Sequence, residues 1–371
     1  MTEAYSNLLN RPEIAFPREL LARVVAGRRV LITGAAGSIG TSLARQVQRF
    51  EPECLALLDS HEASLFRLGQ ALERPAVDRS VRYILADLRD RQKLAQIIET
   101  MAPELIFHLG AYKQVPLSEA NVDQLVAVNV LATVDLVALA AKQTGAVVVY
   151  PSTDKAVQPP SVYGATKRIV ERYCQSVADE ATGPAIRLLR LVNVAGTAGS
   201  VVEVFTRQIA AGLPISVTDR RMDRYWMTMA EATQLLLATA GRDRFGGIHL
   251  LDVGAPVPLI ETVQRLATQL RPGAGEPEVR LVGIRPGERL HELLHYPDER
   301  RRPTELPGLD VLELPPATLS AADWRVAFGE VRERLLTATP ALLRDWLFRA
   351  AGASQPAELR LGGDCVGEGA P

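Results

Sequence analysis

RRVLITGAAGSIGTSLARQVQRF, residues 28–50, sets the fold by its order of residue types. Val30 to Thr33 form a short apolar run of strand length, a glycine-rich turn follows, and Ile39, Leu43 and Val47 then recur at helical spacing. The reading is strand, turn, helix. Gly34, Gly37 and Gly40 spell GxxGxxG: residues without side chains let the backbone turn tightly and approach a pyrophosphate. The helix that opens at Ser38 and Ile39 aims N–H groups and the positive end of its dipole at the same place. The same spacing also fits an ordinary tight connection, so the flanking sequence decides between the two.

Outward from the turn, CLALLD is a second strand ending in Asp59, about 20 residues on, where an acid commonly accepts hydrogen bonds from a ribose. A carboxylate there repels a 2′-phosphate, so NAD is favoured over NADP within an NAD(P) assignment; nearby Arg67 is the residue that would suit NADP. Further strands fit VRYILA, ELIFHLG, AVVVYPS and AIRLLRL, and helical stretches near 91–101, 122–143 and 162–179 lie between them. Alternating strands and helices predict an α/β, Rossmann-type, doubly wound parallel sheet with right-handed crossovers. Ligands bind such sheets beyond the C-terminal strand ends, which places Asp87 and Leu88, Leu109 and Ala111, and the PSTDK stretch at 151–155 beside the cofactor or its substrate.

The 371 residues suffice for one large domain and a smaller one. The predicted division is an N-terminal extension (1–27), a mainly NAD(P)-binding part (28–192), a mainly substrate-binding part that returns a strand to the sheet (193–352), and a disordered Gly/Pro-rich tail (353–371). The 42 basic and 43 acidic residues nearly cancel, to a net charge of −1, which gives no footprint for nucleic acid or an anionic membrane. Cys54, Cys174 and Cys365 form no metal or disulfide spacing and point to a reducing cytoplasm. No signal peptide opens the chain. The longest apolar stretch, residues 122–141, contains Asp123, Asn129 and Asp135, so it reads as a buried helix with no membrane insertion.

STDKAVQPPSVYGATK, residues 152–167, supplies the chemistry. On a helix beginning near Val162, Tyr163 and Lys167 stand at i and i+4, so the ammonium is expected near the phenol, lowering its pKa. Such a tyrosine can remove a hydroxyl proton while hydride leaves the same carbon. This YxxxK pair with the glycine turn resembles the extended short-chain dehydrogenase/reductase family. Asp154 and Lys155 extend the chemistry: an elimination needs a base at one atom and an acid at its neighbour.

LITGAAGSIG, HLGAYKQVPLSEAN, STDKAVQPPSVYGATK, MDRYWMT and GIRPGERLHELL occur in the order seen in the nucleotide-sugar 4,6-dehydratases of the polysaccharide-biosynthesis type, the UDP-N-acetylglucosamine 4,6-dehydratase group. The resemblance spans roughly residues 6 to 300, and the joint occurrence is more specific than any one motif. It implies that Thr153 bonds the sugar near the carbon 4 hydroxyl, that Asp154 protonates the departing carbon 6 hydroxyl, and that Lys155 takes the carbon 5 proton. Tyr163 would be the carbon 4 base, and Lys167 its partner and holder of the nicotinamide ribose. Lys113 would reach into the active site; Asn193 and Arg224 would touch substrate; Arg285 and Glu288 would bind phosphate and uridine ribose.

The resemblance further implies a UDP-sugar substrate, a redox-neutral cycle on a tightly held cofactor, and a homo-oligomer. His291 and His295 are read as structural, and no metal is expected. The amino end resembles the stretch preceding the catalytic domain in membrane-anchored members, and the expectation is a soluble version. Three substrate-side positions depart from the family pattern: Val192 for Gly, Ala198 for Arg and Asp223 for Thr. They suggest an uncommon sugar or nucleotide. The rival readings are a nucleotide-sugar epimerase of the same fold, and a catalytically silent NAD(P)-binding sensor.

Overall fold

The computed structural model describes residues 2–72, 80–178, 180, 184–242, 247–273 and 275–361. The glycine-turn strand is β1 (Arg29–Thr33), followed in the sheet series by β2 (Cys54–Asp59), β3 (Val81–Leu85), β4 (Leu105–His108), β5 (Val147–Thr153) and β6 (Ala185–Leu191). Later segments add β7 (Ile248–Leu251), β8 (Arg300–Pro303) and β9 (Leu309–Glu313). Their order is β3-β2-β1-β4-β5-β6-β7-β9-β8. The first seven run parallel, and β9 and β8 close the edge antiparallel.

Strand order reverses between β1 and β4, whose registers pair Val30 with Leu105 and Thr33 with His108. That switch point opens a crevice at the C-terminal strand ends. Strands β1, β2, β4, β5 and β6 are apolar almost without interruption because helices cover both faces. One face carries Arg18–Val25, Ser38–Gln48, Glu62–Ala71 and Met229–Ala240, which bury Leu21, Leu43, Leu65 and Leu235. The other carries Arg91–Met101, the run Val122–Ala140, and Val162–Ala178. Val122–Ala140 is long and apolar enough to cross a membrane by length and composition, but 72% of its apolar window is buried inside this fold. A smaller lobe has its own core, in which Phe205 and Ile209 from Val201–Ala210 meet Val263 and Leu266 from Leu259–Leu270, around Trp226.

Three boundaries differ from the sequence expectation. The N-terminal extension is part of the fold: Leu8 and Leu9 enter the small-lobe core, Leu21 and Val25 enter the sheet core, and Arg11 pairs with fully buried Glu231. The stretch assigned mainly to substrate binding returns three strands, and its last two helices, Ala321–Arg334 and Pro340–Gly352, pack on the sheet face through Trp324 and Trp346. The tail is ordered as far as Leu361. Leu359 and Leu361 are buried, and Trp346 Nε1 donates to Leu359 O at 2.8 Å. The remainder of that tail, with Cys365, lies outside the described residues.

Candidate active site

The turn after β1 is shaped by what a side chain would strike. Gly34 has φ +66°, and a Cβ on it would lie 2.6 Å from the Gly110 backbone nitrogen. A Cβ on Gly40 would stand 2.3 Å from Gly34 O. Gly37 caps the helix that follows, so the N–H groups of Ser38, Ile39 and Gly40 have no acceptor within that helix. Asp59, at the end of β2, accepts from Ala36 N and from His61 N, both at 2.9 Å, which fixes the carboxylate beside the turn. Asp87 is paired with Arg89 at 2.6 Å, and that hydrogen bond holds its carboxyl below the usual range. Leu88 is buried and contacts the Gly110 backbone closely enough that a Cβ there would overlap it. Leu109 N donates to Thr33 O, and Ala111 continues this loop at the mouth of the crevice. These residues fit a dinucleotide: a cradle that any side chain would fill, a helix N-terminus and a fixed acid, all at one switch point.

Beyond β5 the chemistry-bearing groups converge. Thr153 Oγ1 donates to Asp154 Oδ1 at 2.8 Å, and Lys155 Nζ donates to the same oxygen at 3.0 Å and to Asn193 Oδ1 at 3.3 Å. Asp154 is fully buried, and its Oδ2 has no hydrogen-bond partner among the described residues. Burial opposes the Lys155 charge, but Asp154 and Glu292 outweigh it and hold the ammonium above the usual lysine range. Burial pushes the Tyr163 phenol up to about 12, against Lys155 and a hydrogen bond with Thr153, both of which favour ionisation. Burial also lowers the nearby Lys113 ammonium, with Lys155 adding to the effect.

One expectation about this pair is corrected: the phenol is raised, not lowered. Lys167 reaches across to β5, donating to Pro151 O at 2.9 Å and standing over the Tyr150 ring. Its burial lowers it to about 7. Helical spacing puts the two residues on one face, but the strand carbonyl captures the ammonium. The cation that acts on Tyr163 comes from Lys155.

Arg224, expected to touch substrate, is occupied within the protein. It donates to the carbonyls of Asp223, Arg289 and Leu290 and lies 3.6 Å from Glu292. Arg285 and Glu288 share one turn, where Arg285 N donates to Glu288 Oε2 and Glu288 N to Arg285 O. Gly287 presses that turn against Ser161 and Glu119 beside the Tyr163 helix. Asn193 bonds Tyr225 O, and Ala198 N donates to Ser38 Oγ, so the small-residue loop crosses onto the glycine turn. His291 bonds Asp223 and His295 bonds Tyr296 O, so the two rings face different partners.

Sequence reasoning missed three contributors. Asn129 sits in a wide-turn helical stretch, Val126–Leu131, and exchanges hydrogen bonds with Tyr112 while also donating to Thr166, tying the Lys113 loop to the Tyr163 helix. Its signal was an amide inside an apolar run. Arg190 is fully buried between Glu171 and Glu299, behind the same helix. Glu292 lies 3.5 Å from Lys155, and only tertiary structure brings them together.

The family model for polysaccharide biosynthesis protein matches residues 30–313. The capsular polysaccharide biosynthesis protein CapD of Staphylococcus aureus is 33% identical over 290 residues, covering 78% of this chain and 48% of CapD. The chain thus spans about half the length of that relative. A UDP-N-acetylglucosamine 4,6-dehydratase (inverting) of Campylobacter jejuni is 26% identical, over 73% of this chain and 78% of that enzyme. The X-ray structure of Pen from Bacillus thuringiensis superposes with a TM-score of 0.71 at 27% identity, over 79% and 90% of the two chains.

Proposed function

The chain belongs to the polysaccharide biosynthesis protein family, extended short-chain dehydrogenases/reductases of the nucleotide-sugar dehydratase and epimerase class, and from that premise we propose that it is a nucleotide-sugar 4,6-dehydratase. The substrate is a UDP-N-acetylglucosamine-like sugar nucleotide and the product its 4-keto-6-deoxy derivative, with or without inversion at carbon 5. The observation that carries this reading is the Thr153–Asp154–Lys155 cluster on the end of β5, acting on the Tyr163 phenol.

Bound NAD(P), held at the glycine turn and Asp59, supplies a two-electron acceptor and donor that makes the sequence redox-neutral; NAD is favoured. Tyr163 takes the carbon 4 hydroxyl proton, helped by the Lys155 charge and by Thr153. Lys155 and Asp154 share a 3.0 Å hydrogen bond, so one proton moved along it yields an amine and a carboxylic acid. The amine then removes the carbon 5 proton, acidic once carbon 4 is a ketone, the acid protonates the carbon 6 hydroxyl that leaves as water, and the Lys155 ammonium returns a proton to carbon 5 as the 4-keto-6-deoxy product forms. Asp154 Oδ2 is buried without a hydrogen-bond partner among the described residues. A simple carbon 4 epimerase has no use for this second acid–base pair. The cytoplasm and a homo-oligomer belong to the same reading.

Asp223, which stands where the resemblance has Thr, bonds His291 inside the protein, and Ala198, where it has Arg, offers a substrate no charged side chain. We therefore assign a sugar or nucleotide other than the common one. Incubating the purified protein with a panel of sugar nucleotides, without added reductant, tests both statements by mass spectrometry. Loss of one water from a panel member supports the dehydratase; mass-neutral isomers instead mark an epimerase. Clear preference for UDP-N-acetylglucosamine removes the altered-substrate assignment.

A further inference from the structure

Resting on the function just proposed, the geometry points to Glu292 as a positioning residue for Lys155: its carboxylate, within ion-pair distance of Arg224 and Arg289, holds the catalytic lysine in place and links it to the loop carrying Arg285 and Glu288. The Glu292 side chain is only 3% exposed, and three cations surround it. Arg289 Nε lies 3.1 Å from Oε2, Lys155 Nζ 3.5 Å from Oε1, and Arg224 Nε 3.6 Å from Oε1. A buried carboxylate shared by three cations is a junction, because removing it leaves like charges facing one another in a low dielectric.

The cations come from different parts of the fold. Lys155 follows β5 of the sheet, Arg224 belongs to the small lobe, and Arg289 is in the substrate-side loop, where it also donates to Val157 O at 2.6 Å. Glu292 therefore links the loop and the lysine. The charged groups facing Lys155 are Asp154 and Glu292, which favour the ammonium, and Arg224, which opposes it; Tyr163 and Lys113 are the remaining titratable neighbours. Arg289 stands against the other Glu292 oxygen, 3.1 Å from Oε2. Two substitutions should accordingly move the Lys155 titration in opposite directions, which a generic packing role would not do.

The side chain of Lys155 is 21% exposed, so it can be titrated chemically. Trace acetylation of the purified protein from about pH 7 to 12, quantified on the Lys155 peptide by mass spectrometry, reads its midpoint without substrate or turnover. E292Q is expected to lower the midpoint by about one pH unit, and R224Q to raise it. In the dehydration assay E292Q should lower kcat by about tenfold with KM within about twofold, and E292D should recover most of the loss. An unmoved midpoint in either folded variant, or shifts of the same sign, overturns the proposal. Opposite shifts in a protein that releases no water from any sugar nucleotide uphold the linkage and overturn the dehydratase reading alone.

Discussion

Tyr163 and Lys167 are one motif in the sequence and two environments in the fold. Burial drives the phenol to about 12 and the ammonium to about 7, working against the charged form of each. Tyr163→Phe should leave the fold intact and lower turnover by about 10²–10⁴, measured as product formed per enzyme. Lys167 gives a pH signature with a definite sign. Its folded value lies below its ordinary 10.5, so between about pH 7 and 10.5 the unfolded chain binds a proton that the folded chain lacks, and stability rises with pH across that window. Lys167→Met should therefore gain most in Tm over the parent near pH 7, with the gain shrinking toward pH 10. The residue types of this site were legible because proton-transfer chemistry needs an acid, a base and a phenol. Which cation serves the phenol was not, because that depends on Pro151 O being within reach of Lys167.

At the scale of elements, turns and helices are placed by constraints of different range. The glycine turn was readable from local sequence, since Gly34 needs a left-handed φ and close approach to Gly110. Gly34→Ala should weaken NAD(P) binding by at least about tenfold and cost about 1–3 kcal/mol of stability, read by calorimetry and thermal unfolding. The N-terminal strap was not readable, because its anchors lie more than 200 positions away: Ile14 N and Arg11 reach Glu231, and Phe16 N reaches Gln234. Arg11→Ala should destabilise the protein by about 3 kcal/mol in chemical denaturation, by leaving the Glu231 carboxylate buried with less compensation. The wide turn at Val126–Leu131 also escaped local reading, since its periodicity differs little from an ordinary helix while its effect is to place Asn129.

Across the whole molecule, six of the seven parallel strands followed from apolar runs alternating with helices, and the ligand crevice followed from their C-terminal ends; the seventh, β7, and the spatial order of the strands came only with the structure. The closing of the edge by β9 and β8 and the packing of two late helices did not, because amphipathic helices carry no mark of which sheet face they cover. Burial on this scale also sets the acid response. His108 bridges the hydroxyls of Thr33 and Thr133 and is lowered to about 3, and His249, in β7, is lowered to about 4, both by burial. Each remains neutral when the unfolded chain protonates near pH 6.5, so the contribution of these two rings to stability should be full above that value and fall toward pH 4, seen as a declining Tm.

The central claim is that one active site moves hydrogen from carbon 4 to carbon 6 while Asp154 and Lys155 remove water between them. Its most direct measurement uses an accepted sugar nucleotide carrying deuterium at carbon 4, with the product analysed by mass spectrometry and NMR. The account predicts a product lighter by one water that holds the deuterium at carbon 6. Product of unchanged mass with the deuterium still at carbon 4, or a dehydrated product without deuterium at carbon 6, would contradict it.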